Sequence, residues 1–183
     1  MDKRIEEYWV EKYPKLFVNY HKRPIEHPMG RGFCCGNGWF FILNELWERI
    51  GPYGDEDLVI GQVKQKLGGL RVYKDYPHQG PGRMDIRYAI SRTEVKSFHV
   101  CEMCGQPGRR RGGDWVFTLC EKCAAKKSGS ELWAASEELG DEIAKKLNLR
   151  TTCKSERDHV IDFGYNKCIC CKAEFTNGKW RTQ

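Results

Sequence analysis

Four cysteines set the strongest chemical expectation in this chain. Cys101 and Cys104 form one Cys-x2-Cys pair, and Cys120 and Cys123 form a second after fifteen intervening residues. Each pair brings two thiolates to one point, and two pairs complete a tetrahedron around Zn²⁺ with sulfurs at ~2.3 Å. Gly105 suits the tight turn that closes the first pair. Four thiolates fill the coordination sphere, so the expected zinc is structural rather than catalytic. Trp115, Phe117 and Leu119 alternate ahead of the second pair and read as the strand that returns to it.

Three weaker clusters stand beside this one. Cys153, His159, Cys168 and Cys171 form a possible second metal site in the tail, although Cys170 obscures which thiols would bind and buried free cysteines would leave the same pattern. His27, Cys34 and Cys35 are a further possible metal group, with packing of small apolar thiols the favoured reading. Asp158-His159, Asn166 and the Cys168–Cys171 pair hold part of an HNH nuclease arrangement, in which His is the general base beside a metal. No metal-binding His follows Cys171 and Cys153 stands alone upstream, so a non-enzymatic protein is favoured over a nuclease. No Ser/His/Asp, P-loop or dinucleotide fingerprint is present.

Charge supplies the next candidates. The formal net charge of +6 favours anionic partners. Gly68-Gly69 between two apolar-alternating runs predicts a hairpin with a type I′ turn. That turn sets Leu67 opposite Leu70, Lys66 opposite Arg71 and Lys64 opposite Tyr73. Lys64, Lys66, Arg71 and Tyr73 then share one face, while Val63, Leu67, Leu70 and Val72 cover the core. Like charges placed opposite destabilise a hairpin by up to ~1 kcal/mol unless an anion or a carboxylate relieves them. Arg109, Arg110 and Arg111 lie between the cysteine pairs, and Lys126 and Lys127 follow the second. These cations read either as a phosphate-binding surface for nucleic acid or a nucleotide, or as solvated loops.

The elements that must position these groups follow from periodicity. Helices are predicted over 3–17, with Pro14 near its end, over a segment capped by Asn37 and carrying Phe40, Leu43, Trp47 and Ile50, over 85–98 and over 130–147. The third carries Ile86, Ala89, Ile90 and Thr93 on one face, and the fourth carries Leu132, Leu139, Ile143 and Leu147. Short strands fill the last thirty residues, with Asn177-Gly178 as a hairpin turn. The expected fold is α+β: a small antiparallel hairpin sheet with packed helices and a zinc ribbon over 1–127, then a helical and short-stranded extension over 128–183. No apolar leader and no run of the ~18 residues a membrane span needs is present, so the expected location is the cytoplasm, with reduced cysteines and no membrane partner.

Several of these pieces occur together in one family. YPKLF (13–17), CGNGWF (35–40), QVKQKLGGLRVY (62–73) and CEMCGQPG (101–108) appear in this order, followed by the Trp115 strand and the Cys120–Cys123 pair. Over about residues 8–125 the chain resembles small proteins found mainly in bacteriophages and prophages, whose pattern has a CGDGWF-like element, QVKEKFGGLR-[FV]-Y and a four-ligand zinc motif. The resemblance implies a phage or prophage origin, zinc binding and a bacterial host cytoplasm, and brings no established activity. Many relatives end near the zinc motif, so the segment from Ser130 looks like an addition. Two functional expectations result: a zinc-rigidified protein that binds nucleic acid or a nucleotide, or an accessory protein that disables a host protein, including one of host defence.

Overall fold

The computed structural model describes residues 1–56, 58–75, 83–112, 115–126 and 128–149, together with the backbone of four short strand segments between 161 and 181. Helix α1 (Lys3–Lys12) begins at Asp2, whose carboxylate accepts the Arg4 backbone N–H. Strand β1 (Phe33–Cys34) and a 3-10 turn over Asn37–Trp39 lead into α2 (Phe40–Ile50). Strands β2 (Val59–Lys66) and β3 (Gly69–Asp75) form the antiparallel hairpin, and β1 adds to β2 in parallel, giving the order β1-β2-β3. Helix α3 (Arg83–Ser97) packs on α2 and β3 through Ile86, Ala89, Ile90 and Thr93, the face its spacing predicts.

Strands β4 (Arg109–Arg111) and β5 (Phe117–Leu119) pair antiparallel, and a single turn of helix, α4 (Glu121–Ala124), follows. Helix α5 (Gly129–Lys146), capped by the Ser128 hydroxyl, sends Ile143 into the main core and lays Leu132 against the cysteine cluster. Strands β6 (Ile161–Asp162), β7 (Lys167–Cys168), β8 (Glu174–Thr176) and β9 (Lys179–Arg181) make an antiparallel sheet in sequence order. Thr176 stands opposite Lys179, while Asn177 and Gly178, the expected turn, lie outside the described residues. The architecture is α+β, as expected. No helix among the described residues is long and apolar enough to cross a membrane.

The main core is aromatic. Trp9 stacks on Phe40 with centroids 5.3 Å apart, and Phe17 meets Trp47 edge-on at 5.2 Å. The second core is small: Cys101, Met103, Leu119 and Cys123, flanked by partly buried neighbours such as Phe117 and Leu132.

Helix α1 ends at Lys12, short of the expected 17, and two further expectations need correction. Asn37 does not cap α2, because the 3-10 turn moves the helix start to Phe40 and Trp39 takes the cap position. The Asn37 side chain instead accepts the Asp2 N–H at 2.7 Å and donates to the Ser136 carbonyl at 2.7 Å, joining the start of α1 to α5. The hairpin turn also lies one residue earlier than expected. Leu67 and Gly68 take the positive φ values, 53° and 78°, so Lys66 pairs with Gly69, Lys64 with Arg71 and Gln62 with Tyr73. Leu67 is therefore 64% exposed at the tip rather than part of the core. Moving the turn by one residue re-pairs the strands without exchanging their faces, so Lys64, Lys66, Arg71 and Tyr73 still share one.

Gly69 serves a purpose other than turn geometry. A Cβ there would lie 2.5 Å from two carbons of the Phe98 ring, so only glycine lets that ring lie against the hairpin. The outer side of β3 meets α3 by hydrogen bonds: the Leu70 N–H donates to the Ser97 hydroxyl at 2.8 Å, and the Val72 N–H to the Glu94 carboxylate at 3.0 Å.

Candidate metal centre and basic seam

The first cysteine pair sits on a turn closed by Gly105, at φ 74°, whose N–H donates to the Cys101 carbonyl at 3.0 Å. The second pair straddles the start of α4, where the Cys120 sulfur accepts the Cys123 N–H at 3.3 Å. The four sulfurs of Cys101, Cys104, Cys120 and Cys123 all lie within 4.8 Å of one another. Cys104 stands 3.6 Å from Cys120 and 3.5 Å from Cys123. A tetrahedron of sulfurs ~2.3 Å from an ion has edges of about 3.8 Å. The four cysteines are thus close enough to hold a metal ion, and they leave it no open position.

Burial pushes the Cys104 thiol up to about 11 and raises that of Cys123 further. Burial also acts upward on Cys120, but the Cys123 N–H and the neighbouring thiols outweigh it and hold Cys120 below the ordinary thiol value. A bound cation would favour the thiolate at every position.

Elsewhere, His27, Cys34 and Cys35 do not converge on a metal site. His27 uses one ring nitrogen against Asp75 at 2.8 Å and the other to accept the Met29 N–H, while Cys35 is buried and Cys34 exposed. Of the tail cluster, Cys153, His159 and Cys171 lie outside the described residues, as do Asp158 and Asn166. Cys168 is placed only by its backbone, opposite Ile161.

Two segments hold the cysteine module in place. In the 35–40 segment, added Cβ atoms at Gly36 and Gly38 would lie 2.3 Å from the Glu102 carbonyl oxygen and 2.2 Å from that of Cys101. The Gly38 N–H donates to the Glu102 carbonyl at 2.8 Å and the Trp39 indole to that of Val100 at 2.9 Å. Glu102 itself is buried and accepts the Gly36 N–H on one oxygen, while the other has no partner among the described residues. Burial pushes its carboxyl up to about 7, against the opposing pull of that N–H. At the hairpin, Thr118 donates to the Gly68 carbonyl at 2.6 Å and Gln65 to that of Val116 at 2.5 Å.

The predicted cations divide along this junction. Arg109 and Arg111 share one face of β4 and pair with Glu121 at 3.2 and 2.6 Å. Arg110 faces the other way and lies over the Phe98 ring, 5.4 Å from its centroid. Arg71, from the hairpin, lies 5.7 Å from the same centroid, and Lys64 sits 5.0 Å over Tyr73. Separate rings therefore receive the like-charged cross-strand pair Lys64 and Arg71. Among the described residues, Lys64, Lys66, Arg71 and Arg110 form no ion pair with a carboxylate.

Sequence reasoning missed Phe98 and Gly69, which bring hairpin and ribbon cations together. No signal in the sequence marked either, because both glycines fit the expected two-residue turn. No family model, curated protein or solved structure matches this chain.

Proposed function

We propose that this chain is a non-enzymatic, phage-type protein of the bacterial cytoplasm in which zinc rigidifies the ribbon and the basic seam takes an anionic ligand, nucleic acid or a nucleotide. Four sulfur donors at tetrahedral spacing suit a closed structural zinc site. The observation that carries the binding reading is the Phe98 ring shared by Arg71 and Arg110, which makes one cationic surface from two modules. Cations that pair with no carboxylate among the described residues are available to an incoming anion.

The test is the double variant Lys66→Glu/Arg71→Glu, titrated against an oligonucleotide at two salt concentrations. It should lose affinity, and its salt slope should fall by roughly 0.7–0.9 for each phosphate contact removed, with zinc content unchanged. Unchanged affinity in the variant overturns the reading.

A second reading rests on a different surface. Met84, Tyr88 and Val95 of α3 are 73%, 59% and 57% exposed and project opposite its buried face, so this helix is apolar on two sides. That supports an accessory role in which the chain binds a host protein, and such binding would be insensitive to salt and broken by Tyr88→Asp.

A further inference from the structure

The seam sets rings among its cations. Tyr73 carries Lys64 over its ring and remains 42% exposed. Arg71 and Arg110 flank Phe98. Trp115, 68% exposed, directly precedes Val116, whose carbonyl is held by Gln65 of the hairpin. The charges also span β2, β3 and β4, more than one phosphate group touches.

These features separate three anionic ligands by their chemistry. A mononucleotide offers a single cluster of phosphates and would leave much of the seam unused. A duplex offers a line of phosphates but keeps its base faces stacked inside, where surface rings cannot reach them. A single strand offers both a line of phosphates and free base faces, the combination that interleaved cations and aromatic rings recognise.

Resting on the anion-binding reading above, we infer that the seam binds single-stranded nucleic acid, with phosphates against Lys66, Arg71 and Arg110 and a base stacked on Tyr73. Phe98 acts as a positioning residue. It touches no phosphate but is the ring that both guanidiniums lie against, and Gly69 provides the space in which it lies.

The experiment uses the full chain with its metal and three probes: a labelled single strand of about 16 nucleotides, the same strand annealed to its complement, and ATP as competitor. The single strand should bind about tenfold or more tighter than the duplex, and ATP should displace it only at large excess. Tyr73→Leu should weaken single-strand binding about tenfold while leaving the salt slope unchanged, because it removes a stack and no charge. Gly69→Ala should weaken binding by displacing the Phe98 ring, and Phe98→Tyr should retain binding. Metal content and melting serve as controls, and the exposed Tyr73 keeps the test valid if Gly69→Ala folds poorly.

Equal affinity for duplex, full displacement by equimolar ATP, or an unaffected Tyr73→Leu variant overturns the single-strand inference and leaves an anion site standing. Failure to bind any probe, with metal content intact, overturns both.

Discussion

The body of the molecule encloses Trp9, Trp39 and Trp47 completely, whereas the ribbon encloses two thiols, a methionine and a leucine. A large aromatic side chain buries roughly 150–250 Å², or about 4–6 kcal/mol each at ~25 cal/mol per Å² as an upper bound. The ribbon's four small side chains cannot match that, while ordering each residue costs ~1–2 kcal/mol of backbone entropy. The two regions therefore differ in what could hold them: apolar burial in one, and in the other four cysteines close enough to bind a metal ion. Between them lies a junction of glycines and carbonyls that belongs fully to neither.

The most damaging way to probe this contrast is Cys120→Ser. It should release the metal and unfold the ribbon, removing on the order of 10 kcal/mol of apparent stability from that region. The near-ultraviolet circular dichroism of the buried tryptophans should persist, and its loss together with the metal would show one cooperative unit instead of two. Gly38→Ala addresses the junction. Its new methyl would meet the Cys101 carbonyl oxygen 2.2 Å away, so stability should fall by about 1–3 kcal/mol with the metal retained. Thermal melting followed beside metal content measures both. The smallest structural effect is expected from Glu121→Gln, which frees Arg109 and Arg111 at the surface. Melting should stay constant while the salt slope of oligonucleotide binding steepens by about one to two, as those arginines become available to phosphates.

The clustering of the four cysteines was legible because its signal is local: cysteine spacing alone places four sulfurs together. The inward face of α3 was legible for a similar reason, since Ile86, Ala89, Ile90 and Thr93 recur at helical period. Asn37 misled because an asparagine ahead of an apolar run has the look of a helix cap, while its partners, Asp2 and Ser136, are distant in sequence. The glycine pair misled in a more instructive way. Gly68 is required for its own backbone angle, but Gly69 is required for the ring of Phe98, 29 residues on in the sequence. No local pattern distinguishes these two needs. For the same reason CGNGWF was readable as a motif but not as a cradle, since Gly36 and Gly38 are defined by the backbone of residues 101–102 that they touch.

The hydrogen bonds from Leu70 to Ser97 and from Val72 to Glu94 have a consequence for how copies of this chain can associate. An outer strand ordinarily offers a row of unpaired amides that another strand can adopt, the common route to edge-to-edge aggregation. Here the side chains of α3 already occupy those amides along β3, and the opposite border is the two-residue strand β1. The three-stranded sheet is closed to extension along β3, so association between molecules through that border would first require α3 to let go.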